Sequence, residues 1–171
     1  MKNLDKLFYA SSKISGIHFK ILSSEKGIKS IRMNSKENPD EMKSATKLRT
    51  DDPYMCGIFD QLEEYFKRER KKFNLPLDIS GTDFQMKVWD ELAKIPYGKT
   101  ISYKQLAKAL GSLKLVRAVG RANGANPVPI VIPCHRVINS NGNLGGYSGG
   151  AGIKEKLLEL EGSLSLELFG N

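Results

Sequence analysis

Cys134, His135 and Arg136 stand side by side in a chain with only two cysteines and two histidines among its 171 residues. A cysteine attacks as thiolate, and a free pKa of about 8.5 leaves only a few per cent ionised at neutral pH, so an adjacent imidazole or cation changes what the thiol can do. On a regular strand adjacent side chains point to opposite faces, so Cys134 and His135 can cooperate only at a turn or through a bridging water. Pro127, Pro129 and Pro133 fix φ and push the residues before them into extended geometry, which predicts a stiff, irregular approach to the thiol. The residue types alone leave a plain alternative open: a buried strand from Val128 to Ile132 with an inert cysteine at its end.

The elements that must position this stretch follow from length and patterning. A chain of this length makes one large or two small domains, and 40% hydrophobic with 27% charged residues is ordinary globular usage. No apolar run is long enough for a bilayer, and the first residues lack the apolar stretch and cleavage site of a secretory signal, so no membrane and a cytoplasmic location are expected. Cys56 and Cys134 make no disulfide framework and, with two histidines, no metal-ligand spacing; neither metal nor cofactor is expected. The net charge is +8, and from Leu92 to Lys154 there is no acidic residue, while Lys94, Lys99, Lys104, Lys108, Lys114, Arg117, Arg121, Arg136 and Lys154 are all basic. Such a span invites a polyanionic partner, the alternative being a merely solvated basic face. The run Lys67 to Lys72 reads as the end of a solvated helix.

Residues 6–10, 16–22 and 28–33 read as strands of a small antiparallel meander, with His18 on its polar face. Residues 35–53 read as a loop with a short helix. Met55 to Lys67 has helical apolar spacing, placing Cys56 in a helix as a core or boundary thiol, and residues 75–78 read as a last strand. A boundary near residue 80 divides an α/β domain (1–80) from a mostly α domain (81–171). There, Thr82–Gln85 and Ser102–Gln105 have the form of capping boxes. The first opens a helix with Phe84, Val88, Leu92 and Ile95 on one face and Trp89 in the core; the second opens a short helix ended by Gly111. A further helix spans Leu113 to Asn123, giving the organisation of a helix-turn-helix with Arg117 and Arg121 on one face. Asn139 to Gly152 holds six glycines in fourteen residues and must be loop; Tyr147 and Ser148 within it suggest a shaped pocket wall. Ile153 to Glu161 reads as a helix with Ile153, Leu157 and Leu160 inward, and residues 163–171 have no assignment.

Ile-Pro-Cys-His-Arg-Val at 132–137, preceded by Asn-Pro-Val-Pro and followed by Gly-Tyr-Ser-Gly-Gly at 146–150, closely resembles the O6-alkylguanine-DNA alkyltransferases. The resemblance covers residues 80–162 and implies an RNase H-like N-terminal domain and a winged-helix C-terminal domain. It implies DNA repair by single-turnover transfer of an alkyl group from guanine O6 to Cys134, with thymine O4 as an open second donor. It further implies that His135 takes the thiol proton through a water, that Glu161 orients the imidazole, that Asn126 fixes the turn, and that Tyr103 bonds the guanine ring. Main-chain groups of Cys134, Val137 and Ser148 would contact the base and Tyr147 would wall its pocket. The partner is double-stranded DNA carrying O6-alkylguanine, bound by a monomer, with Arg117 filling the stack vacated by a flipped nucleotide and Arg121 beside it. Arg136 has two readings, phosphate contact or internal support of the turn, of which support is favoured. Family members with zinc use N-terminal cysteines and histidines; only His18 and Cys56 are present here, so no zinc is expected. The rival readings are a non-catalytic alkyltransferase-like protein that binds damaged DNA, a cysteine hydrolase, and a helix-turn-helix regulator with an inert thiol.

Overall fold

The computed structural model describes residues 6–35 and 43–164, and the chain divides into two units, Met1–Ser80 and Gly81–Asn171. In the first, β1 (Leu7–Ile14), β2 (Ile17–Ser24) and β3 (Gly27–Met33) form an antiparallel meander, and β4 (Thr46–Lys47) pairs parallel to β1, giving the order β3-β2-β1-β4. The β1–β2 turn is Ser15-Gly16, both at positive φ (50° and 82°), which matches the right-handed strand twist. Phe8, Ala10, Phe19, Ile21 and Ile31 turn to the buried side, where α1 (Cys56–Phe66) brings Ile58, Phe59, Leu62 and Tyr65. Each phenylalanine, leucine and isoleucine among them contributes about 1.5–3 kcal/mol on burial.

Two expectations for this unit need adjustment, at 75–78 and 35–53, while that of Cys56 as a core or boundary thiol in a helix stands. The strand expected at 75–78 is a single bridge, Ile28 to Leu77, flanked by bonds from Ile28 N to Pro76 O (2.9 Å) and from Asp78 N to Ile28 O (2.8 Å); Pro76 has no N–H with which to extend a ladder. Cys56 is half-buried at the start of α1. Of the expected loop with a short helix at 35–53, residues 36–42 lie outside the described residues, and 46–47 are strand.

In the second unit both capping boxes are present: Thr82 with Gln85 opens α2 (Asp83–Ala93), and Ser102 with Gln105 opens α3 (Tyr103–Ala109). Gly111, at φ 101°, lets the chain leave α3 in a conformation L side chains avoid. The expected helix 113–123 is two pieces, a 3-10 turn over Leu113–Leu115 and α4 (Val116–Gly124). The Ser112 side chain accepts from Lys114 N while Leu115 N donates to Ser112 O, tightening the entry. Trp89 is buried, and its indole donates to Ala122 O at 2.9 Å, fixing α2 against α4. β5 (Ile101–Ser102) and β6 (Val137–Ile138) form a two-stranded parallel sheet. α5 (Ala151–Leu160) buries Ile153, Lys154, Leu157 and Leu158; the expectation of Leu160 inward is corrected to Leu158, and a lysine joins the buried stripe. Residues 165–171 lie outside the described residues.

The candidate acceptor site

No strand leads to the thiol. After Asn126 the chain closes a turn in which Ile132 N donates to Val128 O (3.0 Å) and Ile130 sits at φ 75°. A β-branched residue there stores strain of about 1–3 kcal/mol. The physical reason is the pair Pro127 and Pro129, which supply no donors to a ladder. The Asn126 side chain stands in for one: its Nδ2 donates to Ile132 O (2.7 Å) and its Oδ1 accepts from Val128 N (3.0 Å). Cys134 then opens a 3-10 turn, Cys134–Arg136, so the regular alternation that would separate Cys134 from His135 does not apply.

Cys134 is only 2% exposed. It faces a cavity of about 330 Å³ lined by Tyr103, Gly120, Asn123, Gly124, Cys134, Gly146, Tyr147 and Ser148. A second cavity of about 450 Å³ shares Tyr103, Gly120 and Gly146 and reaches Arg117, Asn139 and Ser140. Burial pushes the thiol pKa up, and hydrogen bonds from Asn126 and Tyr147 and the charge of Lys154 act against it. The resting sulfur is therefore a protonated thiol that needs a base.

His135 has the tautomer that a base requires. It is fully buried, and its Nε2 lies 2.9 Å from Glu161 Oε1. Burial would raise the Glu161 pKa, but the bonds from His135 and Arg136 outweigh it and bring the carboxyl down to about 2. An ionised carboxylate only accepts, so Nε2 carries the proton and Nδ1 is an unprotonated acceptor. Nδ1 has no hydrogen-bond partner among the described residues. Burial keeps the imidazole pKa below its ordinary value despite Glu161, with Arg136 and Lys154 acting in the same direction as burial, so the ring is neutral at pH 7 and free to take a proton.

Arg136 is buried, with Nε on Glu161 Oε2 and Nη2 on Oε1, both at 2.9 Å, and Nη1 on Ile95 O at 2.6 Å. A guanidinium held in this way supports the turn from inside; the reading as a phosphate contact is withdrawn. Tyr103 begins α3 directly after its cap, and burial first, then the nearby Cys134, raise its pKa, so it is a phenol able to donate. Arg117 and Arg121 are exposed on one face of α4, while Val119, Ala122 and Asn123 face inward. Val137 does not line either cavity: its N–H donates to Cys134 O and its carbonyl accepts from Lys154 Nζ at 2.7 Å.

Two polar residues at the site went unassigned from the sequence. Asn123 is buried, lines the cavity, and its Nδ2 reaches Cys134 O at 3.4 Å. Lys154 is fully buried, and burial brings its pKa down to about 8 against the opposing effect of Cys134. Its signal was present, since Lys154, Leu157, Leu158 and Glu161 fall at i, i+3, i+4 and i+7, one face of a helix.

Comparison with known proteins accounts for both units. Residues 9–79 match the family described as "6-O-methylguanine DNA methyltransferase, ribonuclease-like domain", and residues 83–163 match "6-O-methylguanine DNA methyltransferase, DNA binding domain". The chain belongs to the 6-O-methylguanine DNA methyltransferase family. An inducible methylated-DNA–protein-cysteine methyltransferase of Bacillus subtilis is 38% identical over 172 residues, covering 97% of this chain and 96% of that protein. The methylated-DNA–protein-cysteine methyltransferase of Mycobacterium tuberculosis is 49% identical over 120 residues, 70% of this chain and 73% of that one. The crystal structure of the Mycobacterium tuberculosis O6-methylguanine methyltransferase superposes with a TM-score of 0.83 at 38% identity, covering 96% of this chain and 99% of that one. A structure of the same methyltransferase with DNA gives the same TM-score over 95% and 99%. In this family's terms, the second unit described above is the DNA-binding one, and it carries the thiol, the imidazole and the exposed arginines of α4.

Proposed function

We infer that the chain repairs DNA directly, moving the alkyl group from guanine O6 in double-stranded DNA to Cys134 Sγ in a single turnover. The observation that carries this reading is a thiol walling a cavity beside a neutral, buried imidazole whose Nε2 faces Glu161 at 2.9 Å, leaving Nδ1 as acceptor. The thiol proton passes through a water to His135 Nδ1, and Glu161 stabilises the imidazolium. The sulfur lone pair forms the S–C bond as the C–O6 bond breaks; its electron pair returns to the guanine ring, which Tyr103 neutralises by donating a hydrogen bond or proton. The thioether is too poor a leaving group to regenerate the thiol, so each molecule acts once.

An alkyl group on O6 lies inside the duplex, so the nucleotide must flip out, at a cost of a few kcal/mol. The first unit is RNase H-like and the second of winged-helix type, with α3 and α4 as a helix-turn-helix. α4 enters the minor groove, Arg117 occupies the vacated stack, and Arg121 meets phosphate. The base then sits between Tyr103 and the loop carrying Tyr147 and Ser148, with the main-chain groups of Cys134, Ser148 and Val137 at its edge; the Val137 carbonyl keeps a second lone pair for this. The protein acts as a monomer in the cytoplasm.

Incubation of the full chain with a duplex containing O6-methylguanine, followed by intact-mass and peptide analysis, tests this. The expected result is a gain of one CH2 unit on the Cys134 peptide, saturating at one equivalent, and Cys134→Ala should bind DNA without the gain. Repeated turnover, or DNA binding by the wild type with no gain in mass, refutes it; the second result is that of a non-catalytic damage-binding protein.

A further inference from the structure

Asn123 is a carboxamide on a helix face that is otherwise apolar. On α4 it turns inward with Val119 and Ala122, is only 4% exposed, and lines the cavity of about 330 Å³ that Cys134 faces. Its Nδ2 reaches Cys134 O at 3.4 Å. A carbonyl only accepts, so this contact fixes the amide nitrogen toward the thiol turn and leaves Oδ1 as the other end of the amide. Asn123 also opposes the rise in the Tyr103 pKa that burial and then Cys134 cause; a group that favours a phenolate donates, so the nitrogen serves that side too. Oδ1 has no hydrogen-bond partner among the described residues. A buried amide oxygen left unpaired costs free energy, and its partner is expected from what enters the cavity.

The neighbouring groups narrow what that partner is. Cys134 O takes both Val137 N and Asn123 Nδ2, so its two lone pairs are engaged. Val137 O takes Lys154 Nζ at 2.7 Å and keeps one lone pair. Gly120 and Gly124 line the same cavity, and a Cβ at either would meet nothing within 4 Å, so a flat group has room against this side of α4. An O6-alkylated guanine carries no hydrogen on N1, so N1, N3 and N7 all accept, and the exocyclic 2-amino group is its only N–H donor. An acceptor in this place therefore has one complement on the base.

We propose that Asn123 is a specificity-determining residue whose Oδ1 accepts from the 2-amino group of the flipped O6-alkylguanine, standing in for the Cys134 carbonyl that its own nitrogen helps to saturate. The inference rests on the reading of Cys134 as alkyl acceptor and adds to it a side chain that touches the base. Asn123 makes and breaks no covalent bond and moves no proton. A base without the amine fills the cavity and leaves Oδ1 buried and unpaired, and a site built to hydrogen-bond a group rejects the analogue that lacks it. O6-methylhypoxanthine is such a base, and O4-methylthymine, which has no N–H, is another.

The test uses the full chain and two duplexes that differ only in carrying O6-methylguanine or O6-methylhypoxanthine, with single-turnover methyl transfer to Cys134 measured for each. The wild type should prefer guanine by about tenfold or more. Asn123→Leu, of similar size and without side-chain polar atoms, and Asn123→Ala should each lower that preference about tenfold, chiefly by slowing repair of guanine. A wild type indifferent to the amine overturns the proposal. So do folded variants that slow both duplexes alike, the result expected of a residue that only braces α4 against the turn. Should the variants fail to fold, carbon NMR of the Asn123 carboxamide in Cys134→Ala, bound to each duplex in turn, decides it. A downfield move of Cγ with O6-methylguanine alone is expected, since a carbonyl carbon moves that way when its oxygen accepts; the same position with both duplexes refutes the proposal. Failure of the acceptor reading is seen separately, as absence of methyl on Cys134 from either duplex.

Discussion

Glu161 serves two cations with one carboxylate: Oε1 takes His135 Nε2 and Arg136 Nη2, and Oε2 takes Arg136 Nε and Gly98 N. Replacing it by Gln leaves the Arg136 guanidinium buried without a counter-charge, so Glu161→Gln should lose about 3–5 kcal/mol of stability in denaturant unfolding. The same pair sets acid stability. The Glu161 pKa is depressed from 4.5 to about 2 on folding, so its stabilisation is full above pH 4.5 and is lost as pH falls toward 2. His135 acts in the same sense, since its folded pKa is lowered and protonation favours the unfolded chain. The wild type should lose stability through this window, and Glu161→Gln should show a flatter acid limb, measured by thermal unfolding across pH. At this scale the sequence made Cys134 and His135 legible by type and adjacency. Glu161 entered only through the family resemblance, because a contact 26 residues away leaves no mark in spacing. Lys154 was read as one more basic residue, since charge is a poor guide when the helical face carrying it is buried.

At the scale of elements, the stretch before the thiol is held by a side chain where a ladder would otherwise stand. Asn126→Ala removes the partners of Ile132 O and Val128 N in a buried turn, at about 1–3 kcal/mol for each group left unsatisfied. The expected outcome is a loss of about 2 kcal/mol or more in denaturant unfolding, with methyl transfer slowed further than stability alone accounts for, because Ile130 at φ 75° is free to relax and carry Cys134 with it. The two capping boxes were readable because each is a local contract between residues three apart. The turn at 126–132 was legible only as a stiff, irregular approach set by its prolines, with a strand as the alternative; its closure by the Asn126 side chain left no mark in the composition. The helix at 113–124 was readable in existence but not in its 3-10 entry, which depends on the Ser112 rotamer.

For the whole molecule, the division near residue 80 was read from the Ile79-Ser80-Gly81 linker that precedes the first capping box, and Gly81 shows why a glycine sits there: a Cβ would stand 2.7 Å from the Trp89 ring. The sheet of the first unit was legible from alternation, although that unit carries no diagnostic motif. The acid-free span belongs to the second unit, where Arg117 and Arg121 are exposed on α4. Affinity for duplex DNA should fall linearly in log K against log salt, and Arg121→Ala should reduce that slope by about one while weakening binding to all sequences alike. Equilibrium binding at several salt concentrations measures both, and an unchanged slope would remove Arg121 from the phosphate contacts.

The burial of Cys134 also bears on shelf life. A reagent that is used once has to survive the interval between lesions, in a cell that contains peroxides and stray electrophiles. Cys134 is 2% exposed and held as thiol by its surroundings, whereas Cys56 is half-buried on the other unit. Non-specific thiol reagents should therefore mark Cys56 first and leave Cys134 unmarked, so that the protein ages first at the cysteine outside the candidate site.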